Sequence, residues 1–185
     1  MKRLLAAVSF AALLAAPAYA ALSVGSKAPD FTLQASMGGK EFTFRLADAL
    51  KKGPVVLYFY PAAFTTGCTI EAHDFADAMD QYKALGATVI GVSHDDIAKL
   101  DKFSTSECRS KFAVAADTDQ AVMKSYDAVL ARAPQYANRT SYVIAPDGRI
   151  LFTYTNLEPD NHVALTLQAL KDWRDMRGRA HPKHG

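Results

Sequence analysis

Apolar residues recur along this chain with two distinct periods. Around "ASMGGK" the segments 31–34 ("FTLQ") and 41–44 ("EFTF") alternate apolar and polar, and alternation about Gly38-Gly39 predicts a β-hairpin. "LADAL" is a short helical turn stopped by Gly53-Pro54. Residues 55–60 ("VVLYFY") are an unbroken apolar, β-branched and aromatic run, the pattern of a central strand buried on both faces, and Pro61 ends it. From Cys68 the period changes to that of a helix. Ile70, Phe75, Met79 and Tyr82 fall on one side, Glu71, Asp74 and Asp77 are among the polar positions, and Gly86 closes the helix near Leu85. A second buried strand is predicted over 87–93, a helix over 95–107, a strand over 112–117 and another helix over 119–128. "TSYVIAPDGRILFTYT" predicts two strands about the Pro146-Asp147-Gly148 turn, and a last helix covers 160–176 before the basic, turn-rich "RGRAHPKHG".

The order is therefore a hairpin, then alternating strands and helices, then a second hairpin and a helix. Alternation in the middle predicts parallel strands joined by right-handed crossovers, and the closing hairpin adds an antiparallel pair. That is an α/β chain with a mixed central sheet, helices on both faces and an N-terminal hairpin extension, as in thioredoxin-like folds. No repeat, low-complexity tract or linker interrupts it, so one domain is expected over 21–185.

Residues 1–20, "MKRLLAAVSFAALLAAPAYA", change the picture of charge and compartment. A basic start, an apolar centre and a small-x-small ending are the layout of a cleaved secretory signal, with cleavage expected after Ala20. The whole chain carries 21 basic and 19 acidic residues; without Lys2 and Arg3 the two signs balance, since the segment holds no acid. A neutral mature chain with ordinary hydrophobicity argues against a nucleic-acid surface, stable membrane association or disorder. Export predicts a periplasmic location, where disulfides persist, and two cysteines, Cys68 and Cys108, permit a single intramolecular bridge.

Cys68 falls at the first turn of the helix that follows the central strand. Free backbone N–H groups and the positive end of the helix dipole favour an anion there, which predicts a lowered thiol pKa and a reactive thiolate. Gly67 allows close backbone approach, Thr65 offers a hydroxyl, and Pro61 fixes the loop. The residues alone leave two readings open: a reactive thiolate, or a buried structural cysteine beside a capping threonine.

Pro61, Thr65 and Cys68 stand in a Pro-x-x-x-Thr-x-x-Cys pattern, and together with "GCTIEAHDF", "GSKAPDFTL", "VVLYFYP" and "NRTSYVIAPDGRI" this resembles the peroxiredoxins. The likeness is to the branch named after bacterioferritin comigratory protein, or Q type, and covers nearly the whole of 21–185. Thr66 departs from it, since the branch usually carries proline there. The resemblance implies an antioxidant thiol peroxidase that reduces H₂O₂ and organic hydroperoxides through a Cys68 sulfenic acid, with no cofactor or metal. It implies that Arg139 faces Cys68, with Arg132 as the rival arginine, and that Thr65 orients the peroxide. Glu71 is either an organiser of the loop or part of a solvated helix face. The "NRT" at 138–140 also fits a glycosylation pattern, which the arginine segment explains better.

Many members of the branch carry a second cysteine five residues after the first, where this chain has His73. His73 is read as a solvated or packed helix residue rather than a base. Cys108 is then the candidate resolving cysteine, forming a disulfide reduced by an exported dithiol protein; the alternative is a spectator thiol in a one-cysteine enzyme. In either case a monomer or dimer is expected. Rival functions lack an essential atom: a disulfide-exchange protein needs Cys-x-x-Cys, whereas Glu71 occupies the second position, and a copper-delivery module needs Cys-x-x-x-Cys, whereas Ala72 does. A non-catalytic binding module leaves the Pro61, Thr65 and Cys68 set without purpose.

Overall fold

A computed structural model describes residues 21–180 of the chain. The expected signal segment 1–20 and the end of the basic tail, 181–185, lie outside the described residues. Seven strands, β1 (Thr32–Met37), β2 (Lys40–Arg45), β3 (Val55–Phe59), β4 (Thr88–Ser93), β5 (Ala113–Ala116), β6 (Thr140–Ile144) and β7 (Ile150–Thr155), form one sheet in the order β2-β1-β5-β4-β3-β6-β7. The strands β3, β4 and β5 run parallel, as the alternation predicted, and every other pairing is antiparallel. The hairpin turns at Gly38 and Gly39, both at positive φ, which glycine adopts without strain. It is no loose extension, because β1 pairs with β5 and completes the sheet edge.

The helices are α1 (Leu46–Leu50), α2 (Thr66–Ala84), α3 (Ile97–Ser106), α4 (Ala121–Ser125) and α5 (His162–Ala180). Strand alternation divides the core between the two faces of the sheet. Val55, Leu57 and Phe59 pack with residues of α1 and α4 on one face. Val56, Tyr58 and Tyr60 pack with α2, α3 and α5 on the other, and this second cluster contains both cysteines.

Two helix boundaries differ from expectation. The helix expected over 119–128 is a single turn, α4, because Gln120 and Asp127 on either side of it are left-handed. Buried Asp117 supports that turn, its carboxylate accepting from the N–H groups of Val122 and Met123. The last helix runs on to Ala180, through residues expected to be irregular. Among the described residues no helix is long and apolar enough to cross a membrane.

Gly91 fixes how the second core is filled. It pairs with Tyr58 across β3 and β4, and a Cβ at position 91 would lie 2.7 Å from the Tyr58 ring and hydroxyl. The ring cannot swing aside, since it stacks on Phe75 with centroids 4.3 Å apart and is buried. Gly91→Ala is therefore expected to lower unfolding stability by about 1–3 kcal/mol through overpacking. A urea midpoint equal to that of the unaltered protein would refute this account of the Tyr58 packing.

Candidate active site

The loop from β3 to α2 is short and tied from several sides. Tyr60 continues the strand, its N–H donating to Val92 O. After half-buried Pro61, the Ala63 N–H donates to Asp95 Oδ2 at 2.7 Å, and Ser93 and Lys99 hold the same carboxylate. Phe64 is left-handed, φ 66°, with its ring edge-on to Phe103. Thr65 is the N-cap residue of α2; its hydroxyl donates to Ala62 O at 2.9 Å and not to the helix. Its two lone pairs remain available to an incoming O–H.

Cys68 is the third residue of α2 and is almost fully buried. The first bond closing the helix is Thr69 N–H to Thr65 O. The N–H groups of Thr66, Gly67 and Cys68 have no protein partner among the described residues, the usual condition of a first helical turn. Thr66 occupies the first helical position, which suits proline, so threonine there adds one donor that proline would lack.

Arg139 precedes β6, whose first residue Thr140 pairs with Phe59 at the end of β3. That register delivers the guanidinium beside the helix mouth. Its Nε–H donates to Leu157 O at 2.8 Å, Nη1 to Glu71 Oε2, and Nη2 to Cys68 Sγ at 3.5 Å. A Cβ on residue 67 would lie 3.0 Å from Nη2, so Gly67 is what lets the guanidinium approach. Arg132, the rival arginine, is exposed in a separate cleft with Asn138 and Leu157.

Glu71 corrects the helix reading. The sequence pattern groups it with polar positions, yet it is fully buried, and Ile70, expected on the apolar side, is exposed. The reason is helical phase: Cys68, Glu71, Phe75, Met79 and Tyr82 follow each other at three- and four-residue steps, whereas Ile70 is out of step with Phe75. Behind Glu71 stands His162, whose Nε2–H donates to Asn156 O at 2.9 Å, leaving Nδ1 to accept from the Ser141 hydroxyl at 2.8 Å. Burial lowers His162 to about 4, so it is neutral. Glu71 Oε1 faces its Nδ1 lone pair at 3.8 Å and has no hydrogen-bond partner. Burial pushes the Glu71 carboxyl up to about 8 against the pull of Arg139. For Arg139, burial opposes the charge, but Glu71 and then Cys68 outweigh it. No sequence signal pointed to Asp95, Ser141 or His162, because their partners are remote in the chain.

The structure thus brings Cys68, Arg139, Gly67 and Glu71 together, with Thr65 and Pro61 on the adjoining loop. Cys108 lies just beyond α3 and is buried, and both thiols are free and not at bridging distance. Burial, then the neighbouring Glu107, hold the Cys108 thiol well above its ordinary value. His73 is half-exposed and its Nε2 meets Glu107 Oε2 at 2.9 Å, a packed helix histidine as expected.

A thiol at an open helix mouth, under a fixed guanidinium and on a thioredoxin-like sheet, defines the peroxiredoxin class. The family model described as AhpC/TSA family matches residues 24–153, and the chain belongs to that family. Within it the similarity is to the Q/Bcp branch. Chloroplastic peroxiredoxin Q of Triticum aestivum is 35% identical over 152 residues, covering 82% of this chain and 68% of the relative. Peroxiredoxin Bcp of Bacillus subtilis (strain 168) is 33% identical over 156 residues, covering 82% and 96%. The crystal structure of peroxidoxin BcpB from Mycobacterium tuberculosis is 30% identical, with a TM-score of 0.72 over 80% of this chain and 96% of that one.

The buried carboxyl makes stability depend on pH. A carboxyl with a higher pKa in the folded than in the unfolded chain holds an extra proton in the native state. Its contribution is complete below the ordinary value of 4.5 and is lost as pH rises to about 8. Glu71→Gln, neutral at every pH, is expected to flatten that fall, as read from urea midpoints at both ends of the window. An undiminished slope in the variant would place the titration elsewhere.

Proposed function

We propose that Cys68 carries the thiol-dependent peroxidase activity that membership of this branch gives the chain, with H₂O₂ and organic hydroperoxides as substrates. The observation that supports this most directly is the Arg139 Nη2–H to Cys68 Sγ contact of 3.5 Å at an open helix N-terminus. The thiolate attacks one peroxide oxygen. An S–O bond forms, the O–O bond breaks, and its electron pair leaves on the distal oxygen, which takes a proton to become water or an alcohol. Charge therefore passes from sulfur to oxygen. Arg139 and the free first-turn N–H groups suit both ends of that path, since none has to move to meet it. The Thr65 hydroxyl, already donating to Ala62 O, accepts from the peroxide O–H and orients it. Pro61 shapes the loop that carries Thr65.

Cys108 completes the cycle in this reading. Its thiol attacks the Cys68 sulfenic acid, an S–S bond forms, and the hydroxyl leaves as water with the Cys108 proton. A dithiol protein of the same compartment then reduces the bridge. Residues 1–20 direct the chain out of the cytoplasm, so that reductant is an exported one, and the enzyme acts as a monomer or dimer in the periplasm. The separation of the two free thiols favours one competing reading, a one-cysteine cycle with an external thiol.

Cys68→Ser is expected to abolish peroxide turnover. Arg139→Ala is expected to slow the peroxide step by about 10²-fold, the usual effect of losing one well-placed donor. Stopped-flow consumption of H₂O₂ measures both, and turnover surviving in the serine variant would end the assignment. Intact mass after one equivalent of H₂O₂ separates the two cycles. Loss of two hydrogens, absent in Cys108→Ser, means a Cys68–Cys108 bridge, whereas gain of one oxygen in both means external resolution.

A further inference from the structure

Cys108 is held by its neighbours on both sides. Glu107 is tied to His73 at 2.9 Å and Arg109 to Asp77 at 2.5 Å. His73 and Asp77 are four residues apart, so both ties land on one stripe of α2. His73 lies roughly 7.5 Å along the helix from Cys68. The ties therefore fasten the Cys108 turn to α2, the helix that bears Cys68, along a more exposed stripe turned away from the sulfur. The two sulfurs border one buried cluster with Tyr58 and Tyr60, whose hydroxyls have no hydrogen-bond partner among the described residues.

The turn itself is strained. Arg109 and Ser110 are consecutive non-glycine residues in the left-handed region, at φ 49° and 56°. The turn's own backbone bonds are local, Cys108 N–H to Phe103 O, Lys111 N–H to Cys108 O and Ser110 N–H to Ser104 O, and burial of the Cys108 side chain adds to them. Both ties are partly exposed to solvent and hence weak, His73–Glu107 as a hydrogen bond and Arg109–Asp77 as an ion pair open to screening. A strained turn secured by weak ties opens readily, and opening is needed, since the thiols are not at bridging distance where they stand.

Resting on the assignment of Cys108 as the resolving cysteine, we infer that His73–Glu107 and Asp77–Arg109 are a latch that sets how fast Cys108 reaches the Cys68 sulfenic acid. His73, Asp77, Glu107 and Arg109 are positioning residues, none touching the reacting sulfur. The latch decides between two fates of the sulfenic acid. Release of the turn leads to the disulfide and water. A closed latch leaves the sulfenic acid in place for a second peroxide, which adds another oxygen and yields the sulfinic acid.

Rapid-quench intact mass after H₂O₂ reads both fates in the unaltered protein, Glu107→Ala, Asp77→Ala and the double variant. Each single variant is expected to raise the rate of two-hydrogen loss roughly two- to fivefold, the scale of an exposed ion pair, and the double variant the product of the two. The sulfinic fraction at excess peroxide falls in step, the sulfenic acid forms at an unchanged rate, and Glu107→Gln, which can still accept from His73, stays near the unaltered rate. Equal or slower bridge formation in the variants, with the unaltered protein still forming its Cys108-dependent bridge, overturns the latch alone. Absence of any bridge in the unaltered protein overturns the resolving assignment and the latch with it. A measurement on the unaltered, reduced protein guards against variants that fold poorly: iodoacetamide labelling of Cys108, read by peptide mass, is expected to accelerate as salt is raised, and salt-independent labelling counts against the latch.

Discussion

Arg139 is a permanent charge placed inside the protein, and such a charge is tolerated only when its donors are met. Three partners meet it, each from a different part of the chain: the Leu157 carbonyl after β7, the Glu71 carboxyl of α2 and the Cys68 sulfur. The position of each is set by something else. Pairing of Thr140 with Phe59 brings the arginine to the end of β3, and the absence of a side chain at Gly67 leaves room for it. Two of the partners are acceptors bound permanently, so the guanidinium cannot rotate away when the third, the sulfur, changes charge. The same arrangement explains why Glu71 sits with one oxygen unanswered: the carboxyl is there to hold Arg139, and neutral His162 offers it only a lone pair.

How much of this could be read from the sequence depends on whether the signal was local. Gly38-Gly39, the run at 55–60 and the Pro146-Asp147-Gly148 turn each specify an element through residues in that element, and each element is where the sequence put it. Cys68 at a helix mouth follows in the same way from a strand, a proline and a change of period. The pairing of Arg139 with Cys68 does not. No periodicity links residues so far apart, and the resemblance of the surrounding motifs supplied it.

The errors have the same origin. A carboxylate normally seeks water, which puts Glu71 with the polar face, and nothing within α2 reveals that a guanidinium arrives from just before β6 to receive it. Ile70 is the converse, an apolar side chain left exposed by helical phase. The helix expected over 119–128 was cut to one turn by left-handed residues, Gln120 and Asp127, neither of which is a glycine that would have announced it. Asp95 shows the limit most plainly: its carboxylate secures the Ala63 N–H in the loop before Cys68.

The two cysteines live under opposite mechanical conditions, although one cluster buries both. Cys68 is held through Arg139 by contacts sealed from solvent, with Glu71 and Arg139 side chains 0% and 4% exposed. In a low-dielectric setting those contacts are screened by salt far less than surface pairs. The ties beside Cys108 lie at the surface, with Arg109 and Asp77 side chains 42% and 64% exposed, and they close a turn whose backbone is already strained. The Cys108 turn is thus the less firmly held of the two. That difference suits the proposed two-cysteine cycle: attack on peroxide needs a charge environment fixed in advance, whereas resolution by Cys108 needs a thiol that can travel. The division follows from where water reaches, and in that proposed cycle it places the rigid and the movable halves of one reaction on the same face of the sheet.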